Sequence, residues 1–235
     1  MNLNAAACPV TGHSTPLADA LRDHVASEAF PCVGAKAALS RGNMEILELG
    51  RLGDCRNDAM LLGRLVRFAR VQKAAASEGH GLHTLAAVFS GPRDTDEHRF
   101  EALLWAQLQR LHDLDVARGA SWAEDVSPDP DDPRFSFSLG GHPFFVIGLH
   151  PGASRRARRF ALPAMVFNSH RQFERLRADG RYARMQAAIR QRDIALQGSI
   201  NPNLADFGQA SEARQYSGRE AGPGWRCPLR VRSKR

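Results

Sequence analysis

The segment FFVIGLHPGASRRARRF (144–160) runs apolar to His150, breaks at Pro151-Gly152, and then presents Arg155, Arg156, Arg158 and Arg159. A histidine at a strand end can offer a ring nitrogen to a pocket as metal ligand or general base, while proline and glycine stop the ladder. In that setting a histidine more often serves structure. His170, in FNSHRQFE, follows the next apolar stretch, so the reading places both histidines at one edge of a sheet. Arginine forks match carboxylates and phosphates.

A second polar constellation lies in NPNLADFGQASEARQYSG (201–218), where Asp206 and Glu212 are the carboxylates best suited to hold a guanidinium or an amine. Loop polar groups cap their own backbone more often than they line sites. The cysteines, Cys8, Cys32, Cys55 and Cys227, show no CxxC spacing and no zinc-type pairing with histidine. Each reads first as a small buried hydrophobe. Histidine with nearby arginines in an apolar setting suits a heme, whose iron accepts a histidine and whose propionates pair with arginine.

The elements that must position these groups follow from periodicity. Pro16 at a first helical position, after a Thr15 cap, predicts a helix to about residue 29, and 33–40 reads as another. MEILEL (44–49) alternates as a half-buried strand. Asn57 or Asp58 caps a helix with Leu61, Leu65, Phe68 and Val71 on its inner face. Residues 82–89 read as a strand, and 94–116 as a long helix with Phe100, Leu103, Leu104, Leu108 and Leu111 inward. VSPDPDDP (126–133) is an acidic loop. Gly140-Gly141 joins 135–139 to 144–149 as a hairpin, and the second of these strands, apolar on both faces, belongs inside a sheet. A strand at 164–168 and helices at about 170–178 and 181–196 precede a loop-rich end. Without a βαβ rhythm this is an α+β fold: one domain with a central, mostly antiparallel sheet flanked by helices. The expected boundaries are a flexible start (1–14), the domain (15–229) and a basic tail (230–235).

Of 235 residues, 43% are hydrophobic, enough for a substantial single core. No window resembles a membrane span or a signal peptide, so the chain reads as soluble and cytoplasmic. Residues 151–235 hold 18 of the 32 basic and 6 of the 25 acidic side chains. These arginines alternate with apolar residues instead of forming a block, and no nucleic-acid recognition motif accompanies them. Nucleic acid is therefore a minor alternative.

Phe30-Pro31-Cys32, Cys227-Pro228-Leu229, and the run 144–218 with GLHP, FNSHRQFE and SEARQYSG resemble the YqcI/YcgG family. That family carries FPC near its start and CPF near its end; Leu229 departs from the second, as one apolar residue for another. The resemblance spans about 28–229. Some members are similar to heme-dependent N-hydroxylases of guanidino groups, in the guanitoxin and D-cycloserine pathways. The resemblance thus implies heme b, with O2 or a peroxide as oxidant, in an N-oxygenase of a guanidino or amine compound.

On residue chemistry, His150 is the first candidate iron ligand, His170 the second and Cys32 the third, since thiolate also supports oxygen activation. Arg155 and Arg158, three apart, are the expected propionate partners, and Glu212 and then Asp206 the expected substrate anchors. The partners expected are a small-molecule substrate and an electron donor, with self-association allowed and no membrane. A heme sensor or carrier without turnover is the alternative.

Overall fold

The computed structural model describes residues 16–74, 81–205 and 207–232. The expected flexible start, with the Thr15 cap, lies outside these residues, as does Asp206. Five strands form one sheet in the order β1-β2-β5-β4-β3: β1 (Met44–Leu49), β2 (Thr84–Phe89), β3 (Phe137–Leu139), β4 (His142–Leu149) and β5 (Ala164–Ser169). Only β1 and β2 pair in parallel, joined by a crossover through α3 (Asp58–Ala74); the other three pairings are antiparallel. The α+β expectation and the mostly antiparallel sheet hold.

Both faces are covered, which is why the interior strands are mostly apolar on both sides, their polar residues (Thr84, His142, Asn168 and Ser169) standing at strand ends. On one side α3 and α4 (Glu97–Ala117) pack over Leu85, Ala87, Phe89, Phe144, Val146, Met165 and Phe167. Close approach at that interface fixes Gly148: an added Cβ would stand 2.6 Å from Phe100 and 2.9 Å from Leu104. Over the other face lie α1 (Pro16–Ala26), α2 (Val33–Ser40), α5 (His170–Ala178) and α6 (Arg181–Gln197). A final short helix, α7 (Ala213–Tyr216), returns the chain to β4.

The hairpin forms as its sequence predicts, with Gly140 and Gly141 at φ +59° and +67°, the left-handed pair that a two-residue turn requires. Two expectations change. The first helix ends at Ala26, and Val71 is 54% exposed, because the buried stripe of α3 runs through Leu61, Leu65, Phe68 and Gln72 and leaves Val71 on the outer side. The expected basic tail is docked where described: Arg230 N–H donates to Gln109 Oε1 at 2.8 Å and Arg232 N–H to His112 Nε2 at 2.8 Å.

The largest correction concerns the two histidines. Antiparallel pairing sets Leu149 against Ala164 and Phe144 against Ser169, so His150 leaves β4 at one end of the sheet and His170 leaves β5 at the other. Along the register His170 falls level with residue 143, so seven strand positions separate it from His150, roughly 23 Å.

Candidate functional site

Strand alternation sends Phe145, Ile147 and Leu149 of β4, Val166 and Asn168 of β5, and Thr84 and Ala86 of β2 into a cavity of about 290 Å³. This lies near the lower end of the usual small-molecule range. Its far wall is made by α1, α2 and α6. The cavity exists because α6 packs mainly on α5, α2 and the turn at Arg156–Arg158, standing off the sheet, and because α2 offers only Gly34, Ala35 and Ala38.

The same alternation excludes His150. Residues 144, 146, 148 and 150 point to the α4 side, and the His150 ring stacks on Phe100 with centroids 4.3 Å apart. It is buried, and burial lowers its pKa, so it is a neutral core ring. His150 does not face the cavity; the expectation of it as ligand there is corrected.

Cys32, Arg155 and Arg158 do line the cavity, near the end of β4 where the chain turns out of the sheet. Cys32 caps α2, its Sγ accepting the Ala35 N–H at 3.4 Å. Burial pushes its thiol up, while the Ala35 and Gly34 N–H groups and the Arg158 charge pull the other way. The segment 155–158 is not an α-helix but a 3-10 turn with Arg155 at its cap, so the two arginines part. Arg155 is bound to Asp193, and also donates to Ser199 Oγ at 3.0 Å and Ser199 O at 2.8 Å. Its charge is already matched, which corrects its role as a propionate partner.

Arg158 differs. Its guanidinium donates to the carbonyls of Gly148 (3.1 Å), Gln215 (3.0 Å) and Tyr216 (3.4 Å). No carboxylate among the described residues forms an ion pair with it. Loss of water lowers its pKa to about 10. A desolvated cation held by carbonyl dipoles, with Asp193 acting on it through space but not in an ion pair, favours an anion beside it.

The other polar end lies four strand positions away, on the order of 13 Å, near Phe144. His170 opens α5, buried, with Nδ1 3.4 Å from Glu212 Oε2 and Nε2 3.3 Å from Glu174 Oε1. Both ring nitrogens thus face carboxylates, and the Phe207 ring meets the imidazole edge-on at 4.4 Å. This leaves neither nitrogen free for iron. Glu212 is buried, its Oε1 accepting the Tyr216 hydroxyl at 2.7 Å. Tyr216 in turn accepts the Phe137 N–H at 3.1 Å, and burial beside the Glu212 charge raises its pKa well above the ordinary tyrosine value. It remains a hydrogen-bond donor and fixes the carboxylate.

Structure therefore brings Cys32, Arg158, His170 and Glu212 to one cavity and removes His150. It also adds Glu174, Asp193 and Tyr216, which the residue chemistry alone had not selected. Two had a readable signal: His170 and Glu174, like Glu212 and Tyr216, are spaced i, i+4. Asp193 had none, since it meets Arg155 only across 38 residues.

A YqcI/YcgG family model matches residues 21–230. Two Bacillus subtilis proteins are similar: the uncharacterized protein YcgG, 28% identical over 85% of this chain and 79% of its own, and the uncharacterized protein YqcI, 28% identical over 80% and 74%. No solved structure matches.

Proposed function

The chain belongs to the YqcI/YcgG family, and from the chemistry of its cavity we propose that it is a heme-dependent N-oxygenase of a guanidino or amine compound. The observation that carries this reading is the polarity of the cavity, with a desolvated cation that has no ion-pair partner among the described residues beside a thiol at one end, a fixed carboxylate at the other, and apolar walls between.

The residues present suit a heme. Arg158 would pair with a propionate, relieving the cost of its desolvated charge. Cys32 Sγ would hold iron as thiolate; burial opposes loss of its proton, while the α2 N-terminus, the nearby cation and the iron itself would favour it. The aliphatic wall of Leu21, Val25, Ile147 and Val166 would cover the apolar ring. When bound, heme supplies activation of O2 or a peroxide for transfer of one oxygen atom. With O2 the balance requires two electrons and two protons from outside, with water as the second product.

The chain's own part is orientation and charge. Glu212, pinned by Tyr216, would hold a guanidinium or ammonium group by a charge-assisted hydrogen bond and aim its nitrogen along the cavity. Burial strengthens that attraction by excluding water. Nothing in this reading involves a membrane, and no described helix is long and apolar enough to cross one.

Purified protein titrated with hemin should develop a Soret band. In Cys32→Ser the band should shift in position, whereas in His150→Ala, if folded, it should stay. Absence of hemin uptake sinks the proposal. Hemin uptake without oxidation of any guanidino or amine compound, under O2 with a reductant or under peroxide, would instead make the chain a heme carrier.

A further inference from the structure

Glu174 stands 47% exposed on α5, His170 is buried one turn before it, and Glu212 lines the cavity beyond. The contacts are consecutive: Glu174 Oε1 to His170 Nε2 at 3.3 Å, and His170 Nδ1 to Glu212 Oε2 at 3.4 Å. A buried imidazole with a carboxylate at each nitrogen, one reaching water and one reaching a cavity, is arranged for more than packing. A structural histidine needs a partner at one nitrogen only.

We propose that Glu174, His170 and Glu212 form a proton relay from solvent into the cavity. Starting from the ring protonated at Nδ1, Nε2 takes a proton from the Glu174 carboxyl, which recovers one from water. The Nδ1 proton passes to Glu212 Oε2, leaving a neutral ring protonated at Nε2. One proton has moved inward, and ring rotation or exchange restores the first form. Tyr216 does not extend the path, because its proton is held against Glu212 Oε1.

Other charged groups frame the relay. Arg177, which also lines the cavity and lies over the Tyr182 and Phe207 rings, pairs with Glu174 through Oε1, the oxygen that faces His170. Asp125, paired with Arg171, and His142 of β4 lie within electrostatic range of His170. The use of the relay rests on the oxygenase reading, in which reduction of O2 consumes protons inside a water-poor cavity. Its existence does not.

The test uses the full chain free of hemin and follows exchange of the His170 ring protons with water by nitrogen-resolved NMR. Glu174→Gln should slow that exchange by about a hundredfold, the lower end of what a positioned acid or base contributes. Glu174→Asp should restore part of it, and the His142 signals should not change. Unaltered His170 exchange in Glu174→Gln overturns the relay, and Glu212→Gln provides the same reading from the inner side. Should the chain take up no hemin, the oxygenase reading fails while slowed exchange still supports the relay. In loaded, active protein, Glu174→Gln should lower kcat with KM unchanged and enlarge the solvent deuterium effect. Lowered kcat with the isotope effect unchanged would count against it.

Discussion

The Tyr216 hydroxyl ends 2.7 Å from Glu212 Oε1 and accepts the Phe137 N–H at 3.1 Å, tying the polar end of the cavity to the first residue of β3. Tyr216→Phe keeps the ring stacked on Trp105 but leaves a buried carboxylate oxygen and a buried N–H without this partner. The expected cost is about 1–3 kcal/mol. Urea unfolding should show it as a lower midpoint at unchanged slope, and affinity for a guanidinium compound should fall with it.

Arg155 and Asp193 are predicted to be structural. Asp193→Asn leaves a buried guanidinium with one charge unanswered, and should destabilise by about 3–5 kcal/mol, the range for breaking a buried pair. Arg155→Met with Asp193→Leu should recover much of that loss. Thermal unfolding of the three variants measures both expectations.

Arg158→Met should behave in the opposite way. It removes a desolvated cation that no described carboxylate matches, so stability should change by less than in Asp193→Asn. Hemin affinity should fall by about tenfold or more, as expected for loss of a charge-assisted contact of roughly 1.5–3 kcal/mol. Hemin titrations of wild type and variant at one salt concentration decide it.

Stability should depend on pH through His142. Burial lowers its pKa from 6.5 to about 4, its Nε2 lying 2.8 Å from Ser169 Oγ. Between those values the unfolded chain binds the extra proton, so the stabilisation is complete above pH 6.5 and is lost as pH falls toward 4. The shift corresponds to an effect on the order of 3 kcal/mol. His24, His112 and His150 are lowered in the same direction. His142→Gln should therefore flatten, without abolishing, the fall in urea midpoint between pH 7 and 4.5.

Gly148→Ala should be among the costlier single-methyl changes. Its Cβ would meet the Phe100 ring at 2.6 Å inside a packed interface, and overpacking of that kind costs roughly 1–3 kcal/mol. Gly224, with nothing near its Cβ position, should accept alanine with little change in the same unfolding measurement.

The elements themselves were legible in one dimension. MEILEL, the glycine-turn hairpin and the helices beginning at residues 33, 170 and 181 follow from period and capping, which are local properties of the chain. So were the residue types a site would need: a thiol just before a helix, arginines after an apolar strand, and carboxylates in the last loops.

Which of them meet was decided by the tertiary structure. His150 and His170 look equivalent in sequence, each following an apolar strand, yet antiparallel pairing of β4 with β5 places them at opposite ends. The two-residue period of β4 then turns His150 to the α4 face while Phe145, Ile147 and Leu149 face the cavity. Arg155 and Arg158 are likewise three residues apart and chemically alike, but Asp193 forms its ion pair with the first. Strand order and long-range partners are set by packing the whole chain, so sequence determined the inventory and the fold's pairings determined the site.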